Sequence, residues 1–295
     1  MKASKARIRT IVRADCAPSR ATSNPVAFRR NPPPARAAAM PSFTTLDGLN
    51  IFFRDIGEGK PLVMAHGWMV GGAVFDPLID ALTGAGMRLI IPDQRGVGDS
   101  AKPMMDYALR DYARDLAGLI DTLNLKSFNL LGHSMGGQIA QLVAADLGPR
   151  VQTMVLMCPV PASGVPLPDE LRLLFRTSSG KPEAQTQILK MATKTLDDAG
   201  LAALLETAST VYANAVAFAF DSWTKGGFED RLGDIAAGKT YVIGTDDPFL
   251  PREVLEPQVV ERIANAEFVY LPGPGHYPVQ EATEDTAKKL IELLG

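Results

Sequence analysis

The sequence predicts an α/β fold: a mostly parallel sheet flanked by helices and interrupted by a helical insertion. Three observations carry this. Short apolar runs alternate with helix-period segments over residues 42–159 and again over 236–295, the pattern of strands buried on both faces and joined by right-handed crossovers. Over residues 160–235 the alternation stops and only helical patterns remain. Finally, Ser127-Phe128-Asn129-Leu130-Leu131-Gly132-His133-Ser134-Met135-Gly136-Gly137-Gln138-Ile139-Ala140 joins an apolar strand to an apolar helix through a glycine-flanked serine. A G-x-S-x-G turn needs small residues because it is too sharp for larger ones.

The elements follow in order. Residues 1–41 carry nine Lys/Arg against Asp15 alone, a net of +8, and include Pro32-Pro33-Pro34. Such a composition buries too little apolar surface to order itself. A secretory signal lacks its apolar stretch here, while an Arg-rich, acid-poor organellar targeting segment fits the composition but for its prolines. We expect a disordered tail, or sequence upstream of a start at Met40, ahead of the targeting segment.

Phe43-Thr44-Thr45 and Asn50 to Asp55 flank Asp47-Gly48 and read as a hairpin. Pro61 to Ala65 is a continuous apolar strand, Val74 to Leu82 a helix, and Met87 to Ile91 a strand. Tyr112, Leu116, Leu119, Ile120 and Leu123 recur at helical spacing. The strand before Ser134, the helix through Leu147 and the strand Val151 to Met157 follow. The insertion carries helical patterns over Glu183–Leu196 and Leu201–Phe220, with aromatic residues expected to pack mostly inside it. Thr240 to Ile243, a helix over Arg252–Ile263, a strand Glu267–Leu271 and a helix Ala282–Leu294 complete the chain.

Composition excludes several classes. No apolar run approaches the roughly 18 residues of a membrane span. Beyond the basic segment, 21 basic and 32 acidic residues leave a net of −11, so the body offers no electrostatic reason to bind nucleic acid. Cys16 and Cys158 make neither a disulfide framework nor a metal pattern. Nothing requires an oxidising compartment, and a cytoplasmic location is expected unless residues 1–40 direct the chain to an organelle. No dinucleotide or metal motif is present, so no cofactor is implied; Gly57-Glu58-Gly59 and Gly96-Val97-Gly98 are turn glycines.

A serine hydroxyl is a weak nucleophile and needs an adjacent base. The chain offers His66, His133 and His276. His133 precedes Ser134, where the turn orients the two side chains differently, and His66 lies in His66-Gly67-Trp68 after a strand. His276 lies in the turn-rich Leu271-Pro272-Gly273-Pro274-Gly275-His276. Together with Gly132-His133-Ser134-Met135-Gly136 and Gly244-Thr245-Asp246-Asp247-Pro248, these motifs resemble the serine members of the α/β-hydrolase superfamily over residues 43–295.

The resemblance implies an eight-stranded, mostly parallel sheet with a helical cap over 160–235. It implies Ser134 as nucleophile, His276 as base and Asp247 as the acid, in the Ser…Asp…His order and at spacings of 113 and 29 residues. Asp246 stays open as an adjacent alternative. One oxyanion donor would be the N–H of Met135 at the start of the helix; the other, by the resemblance, would be the N–H of Trp68, leaving both side chains free to line an acyl pocket. Asp93-Gln94-Arg95-Gly96-Val97-Gly98-Asp99-Ser100 resembles a structural loop of the family, and Glu281 a carboxylate that pins the histidine loop.

The activity so implied is hydrolysis of a carboxylic ester or lactone through an acyl-enzyme, with a small-molecule substrate; the apolar residues of the insertion point to a small or medium, mostly uncharged acyl group. Serine at the turn speaks against dehalogenase and epoxide-hydrolase relatives, which use aspartate there. Carbon–carbon hydrolysis of a β-diketone, cofactor-free perhydrolase or haloperoxidase chemistry, and a slowly turning-over ligand receptor remain alternatives. Oligomeric state is not legible.

Overall fold

A computed structural model describes residues 41–295, so the expectation for residues 1–40 lies outside the described residues. Eight strands form one sheet in the order β1-β2-β4-β3-β5-β6-β7-β8. They are β1 (Ser42–Thr44), β2 (Asn50–Ile56), β3 (Lys60–Ala65), β4 (Met87–Pro92), β5 (Phe128–His133), β6 (Val151–Met157), β7 (Lys239–Gly244) and β8 (Ala266–Tyr270). The pairs β1/β2 and β2/β4 are antiparallel and every other pair is parallel. The strand β5 is buried along its whole length between β3 and β6, as a central parallel strand covered on both faces is.

The helices of the sheet region are α1 (Ile79–Gly84), α2 (Leu109–Thr122) and α3 (Met135–Leu147). The insertion between β6 and β7 contains α4 (Asp169–Arg176), α5 (Pro182–Ala192), α6 (Asp198–Ser209) and α7 (Ala213–Lys225), and α8 (Arg252–Gln258), α9 (Pro278–Glu281) and α10 (Thr283–Leu294) close the chain. Helix α2 packs on α3, and α1 on α10; in the insertion, α4 contacts α5 and α7. No single helix among the described residues is long and apolar enough to cross a membrane.

Four helical expectations change. The segment from Gly72 to Leu78 is a 3-10 helix containing Pro77, and only Ile79–Gly84 is α-helical. The pattern over Leu201–Phe220 belongs to two helices bent by 103°. The Tyr212 amide donates instead to Gly96 O at 2.8 Å, so a tertiary bond takes a group that a continuous helix would have used. Helix α5 stops at Ala192, and the amides of Lys194 and Thr195 turn to the Glu281 carboxylate at 2.7 and 2.9 Å. The stretch after Pro251 is α-helical only to Gln258, followed by a 3-10 turn over Val260–Arg262. Helix α4 had no clear signal: of its eight residues only Phe175 is buried.

Arg95 ties the site's surroundings together. Its guanidinium is fully buried and forks onto Asp115 at 2.6 and 2.7 Å, with Asp47 at 3.1 Å and the Asp106 carbonyl at 2.9 Å. One side chain thereby joins the first hairpin turn, α2 and the loop before α2. Ser100 accepts the Phe52 amide at 2.9 Å and donates to Asp93 O, which fixes the same loop to β2.

Candidate active site

Ser134 sits between β5 and α3 at φ 57°, ψ −121°, a left-handed conformation that a side chain adopts only at a cost of order 1–3 kcal/mol. The turn is held from both sides: Ser134 N donates to Met157 O at 3.0 Å, and its carbonyl accepts from Gly137 N at 2.8 Å. The flanking glycines are required by contact. A Cβ on Gly132 would lie 2.3 Å from Gly136 O, and one on Gly136 would lie 2.1 Å from Ala65 O. Close passage of α3 over β3 and β5 therefore dictates the glycine spacing.

His276 Nε2 lies 2.8 Å from Ser134 Oγ, and His276 Nδ1 lies 2.5 Å from Asp247 Oδ2. The remaining oxygen of Asp247 accepts the Phe249 amide at 2.9 Å. Burial alone would raise this carboxyl's pKa, but the facing imidazole and the Phe249 and Leu250 amides hold it below the usual carboxylate value. Asp246 turns away, accepting from the Tyr270 hydroxyl and from Gly273 N. Of the two adjacent aspartates, only Asp247 meets the histidine.

Trp68 N and Met135 N donate to no other described residue, and Met135 opens α3, whose N-terminal end carries partial positive charge. The Trp68 indole donates to Val216 O at 2.8 Å and stacks on Phe175 with centroids 5.5 Å apart. Trp68 lines the cavity beside Ser134, as expected. The Met135 side chain departs from expectation: it is buried in the core and is absent from the cavity wall.

That cavity is lined by Ser134 and His276 together with apolar residues, among them Val165, Phe175, Ile188, Trp223 and Phe249. The centre of a water-sized sphere can move through about 60 Å³ of it. Apart from His276, no ionisable nitrogen or carboxylate among the described residues lines it. Of the insertion's aromatics, only Phe175 and Trp223 reach it; Phe220 and Phe228 are buried elsewhere and Phe218 is partly exposed.

Backbone bonds hold the histidine. The Glu281 carboxylate accepts the amides of Gly275 and Tyr277 at 2.9 and 3.0 Å as well as those of Lys194 and Thr195. His276 N donates to Ala192 O at 2.9 Å. Ala192 carried no sequence signal, since a backbone carbonyl can be offered by any residue. His66 faces elsewhere: its Nε2 accepts the Gln94 amide at 3.1 Å and its Nδ1–H donates to Gly67 O at 2.9 Å. Cys158 is buried at φ 44° behind the pair, with its thiol 3.4 Å from Thr245 Oγ1. Its sulfur, Asp247 and His276 lie within 4.8 Å of one another, but the carboxylate and imidazole are already engaged with each other.

A family model described as the alpha/beta hydrolase fold matches residues 60–187. A non-heme chloroperoxidase of Streptomyces lividans is 30% identical over 261 residues, covering 80% of this chain and 93% of that protein. The non-heme chloroperoxidase CPO-A1 of Kitasatospora aureofaciens is 37% identical over 123 residues, 41% of this chain, and the match spans only 45% of that relative. Among solved structures, an esterase from Exiguobacterium antarcticum superposes with a TM-score of 0.79 at 24% identity, over 85% of this chain and 97% of that one.

Proposed function

The chain belongs to the α/β hydrolase family, and on that premise we propose that it is a serine hydrolase cleaving a carboxylic ester or lactone through an acyl-enzyme. The observation that carries this is the unbroken chain Ser134 Oγ, His276 Nε2, His276 Nδ1, Asp247 Oδ2, with links of 2.8 and 2.5 Å, whose serine and histidine line a mostly apolar cavity.

Ser134 Oγ attacks the substrate carbonyl carbon as its proton passes to His276 Nε2. Asp247 holds the imidazole with its proton on Nδ1 and stabilises the imidazolium. The oxyanion rests on the amides of Trp68 and Met135. Collapse breaks the carbon–oxygen bond, and the leaving alkoxide takes the proton from Nε2. Water then gives a proton to His276 and its oxygen to the acyl carbonyl, releasing the acid and restoring Ser134.

Residues 160–235 act as a cap in this reading, supported by Val165, Phe175, Ile188 and Trp223, which line the same cavity as Ser134. The small apolar chamber favours a compact, uncharged acyl group, since a buried carboxylate would find no counter-charge there. This weighs against carbon–carbon hydrolysis of substrates bearing carboxylates. The chloroperoxidase relatives favour one second reading, in which hydrogen peroxide replaces water at the acyl-enzyme and a peracid leaves.

A fluorophosphonate probe is expected to label Ser134, and short p-nitrophenyl esters to be turned over by the wild type and not by Ser134→Ala. An unlabelled Ser134 in folded protein overturns the proposal, and stoichiometric labelling without turnover would point to a ligand receptor. A panel of esters, lactones and β-diketones, with and without hydrogen peroxide, separates the two readings.

A further inference from the structure

His133, the residue before the candidate nucleophile, has no part in the reaction just described, yet it is buried against it. Its Nε2 lies 2.7 Å from the backbone carbonyl oxygen of His276, and the two imidazoles are 5.1 Å apart, centre to centre. A carbonyl only accepts, so a proton sits on Nε2, and in the neutral ring Nδ1 is then bare. Nδ1 is buried and has no partner among the described residues. The ring therefore has a single polar function in the fold, and it is directed at the backbone of the histidine that faces Ser134.

The other bonds on that backbone come from elsewhere: Ala192 holds the His276 amide, and Glu281 holds the amides on either side. Among the described residues, only His133 reaches it from β5, the strand that leads into Ser134. One peptide bond separates the ring's own backbone from the nucleophile's. Ser134 Oγ to His276 Nε2, and His276 O to His133 Nε2, thus close a short loop in which nucleophile and base cannot drift apart independently.

We propose that His133 is a positioning residue that sets the distance between Ser134 and His276 by donating its Nε2–H to the His276 carbonyl. This rests on the hydrolase reading above. His133 is not part of the cavity wall, so its loss acts on the chemical step and leaves substrate binding alone.

The test compares H133F, which keeps a ring and loses the donor, with H133Q, which keeps a donor at similar reach. A misplacement of the order of an ångström costs about 100-fold in rate. H133F is expected to lower kcat on a short p-nitrophenyl ester by about that factor with KM unchanged, and H133Q to recover most of it. A folded H133F with kcat within about threefold of wild type, or an H133Q as impaired as H133F, overturns the assignment. Should H133F fail to fold, ring-nitrogen NMR of the wild type decides: a proton on Nε2 at pH 7 supports it, and a neutral Nδ1–H tautomer overturns it. A wild type that neither labels nor turns over removes the hydrolase reading and this assignment together. A wild type that turns over beside an unimpaired H133F removes this assignment alone.

Discussion

Asp247 brings Oδ2 to 2.5 Å from His276 Nδ1, while Asp246, its neighbour in sequence, turns outward to the Tyr270 hydroxyl. The two carboxylates differ in everything except type. Asp247 is 2% exposed and pinned by the Phe249 amide, so its charge acts on the imidazole through a medium with little screening. Asp246 lies at the surface, where the same charge is screened.

Replacing Asp247 by Asn keeps the shape and removes the charge that selects the histidine tautomer. The expected loss in kcat is about 10⁴-fold, whereas Asp246→Asn should stay within about threefold, as befits a partly exposed side chain engaged with Tyr270 and Gly273 rather than with His276. Steady-state kinetics on one short ester settles the contrast, and equal losses would reverse the assignment.

The Glu281 carboxylate gathers four backbone amides, at 2.7 to 3.0 Å. Glu281→Gln retains one acceptor oxygen and puts an NH₂ against N–H donors. It should cost about 1–3 kcal/mol of stability and lower kcat at least tenfold by loosening the His276 loop. Urea melts and kcat, measured together, check it; a loss of stability with full kcat would mean that the loop holds without the pin.

Acid should weaken the fold before the carboxylates titrate. Burial drives His133 down from 6.5 to about 3, and His66 in the same direction. His276, Asp247, His66 and Tyr277 are the titratable groups facing His133, and burial outweighs the attraction of Asp247. Between about pH 6.5 and 3 the unfolded chain therefore binds more protons than the folded one, and stability rises with pH across that window. Each histidine adds at most about 1.4 kcal/mol per pH unit. Asp247, whose carboxyl is held below 3.8, contributes stability above that value that is lost only as pH falls further. Urea unfolding at pH 4, 5 and 6 should show this slope, reduced in H133Q; a flat profile would contradict it.

Arg95→Met should destabilise the protein by about 3–5 kcal/mol, because it leaves the Asp115 carboxylate buried without its partner. Arg95→Met combined with Asp115→Leu should recover much of that loss, since replacing both charges with apolar groups removes the uncompensated one. Chemical denaturation of the single and double variants measures the difference. Equal stability of Arg95→Met and wild type would show that water reaches Asp115.

Most of the strand framework was legible because strands buried on both faces leave apolar runs, as in Pro61–Ala65, and sharp turns leave glycines. The Ser134 turn was legible for the same reason: Gly132 and Gly136 answer to contacts of 2.3 and 2.1 Å that no other residue allows. Legibility failed where one backbone group decides the structure. The end of α6 and the break before α7 turn on the bond from Tyr212 N to Gly96 O, and the end of α5 on amides drawn to Glu281. A backbone carbonyl has no letter of its own, so Ala192 looked like any alanine in a helix. Met135 was misjudged because the sequence position identifies its amide but says nothing of its side-chain rotamer.

The four amides on Glu281 also bear on recombination between relatives. Two belong to the segment that carries His276 and two to the link between α5 and α6, with Ala192 O on the His276 amide beside them. A chimera that exchanges residues 160–235 as a cassette would cut through this seam, replacing half of the donors that Glu281 was shaped to meet. Transplanting substrate preference into or out of this scaffold therefore requires the junction 192–195 and the loop 275–281 to travel as a matched set, although more than 70 residues separate them in the chain.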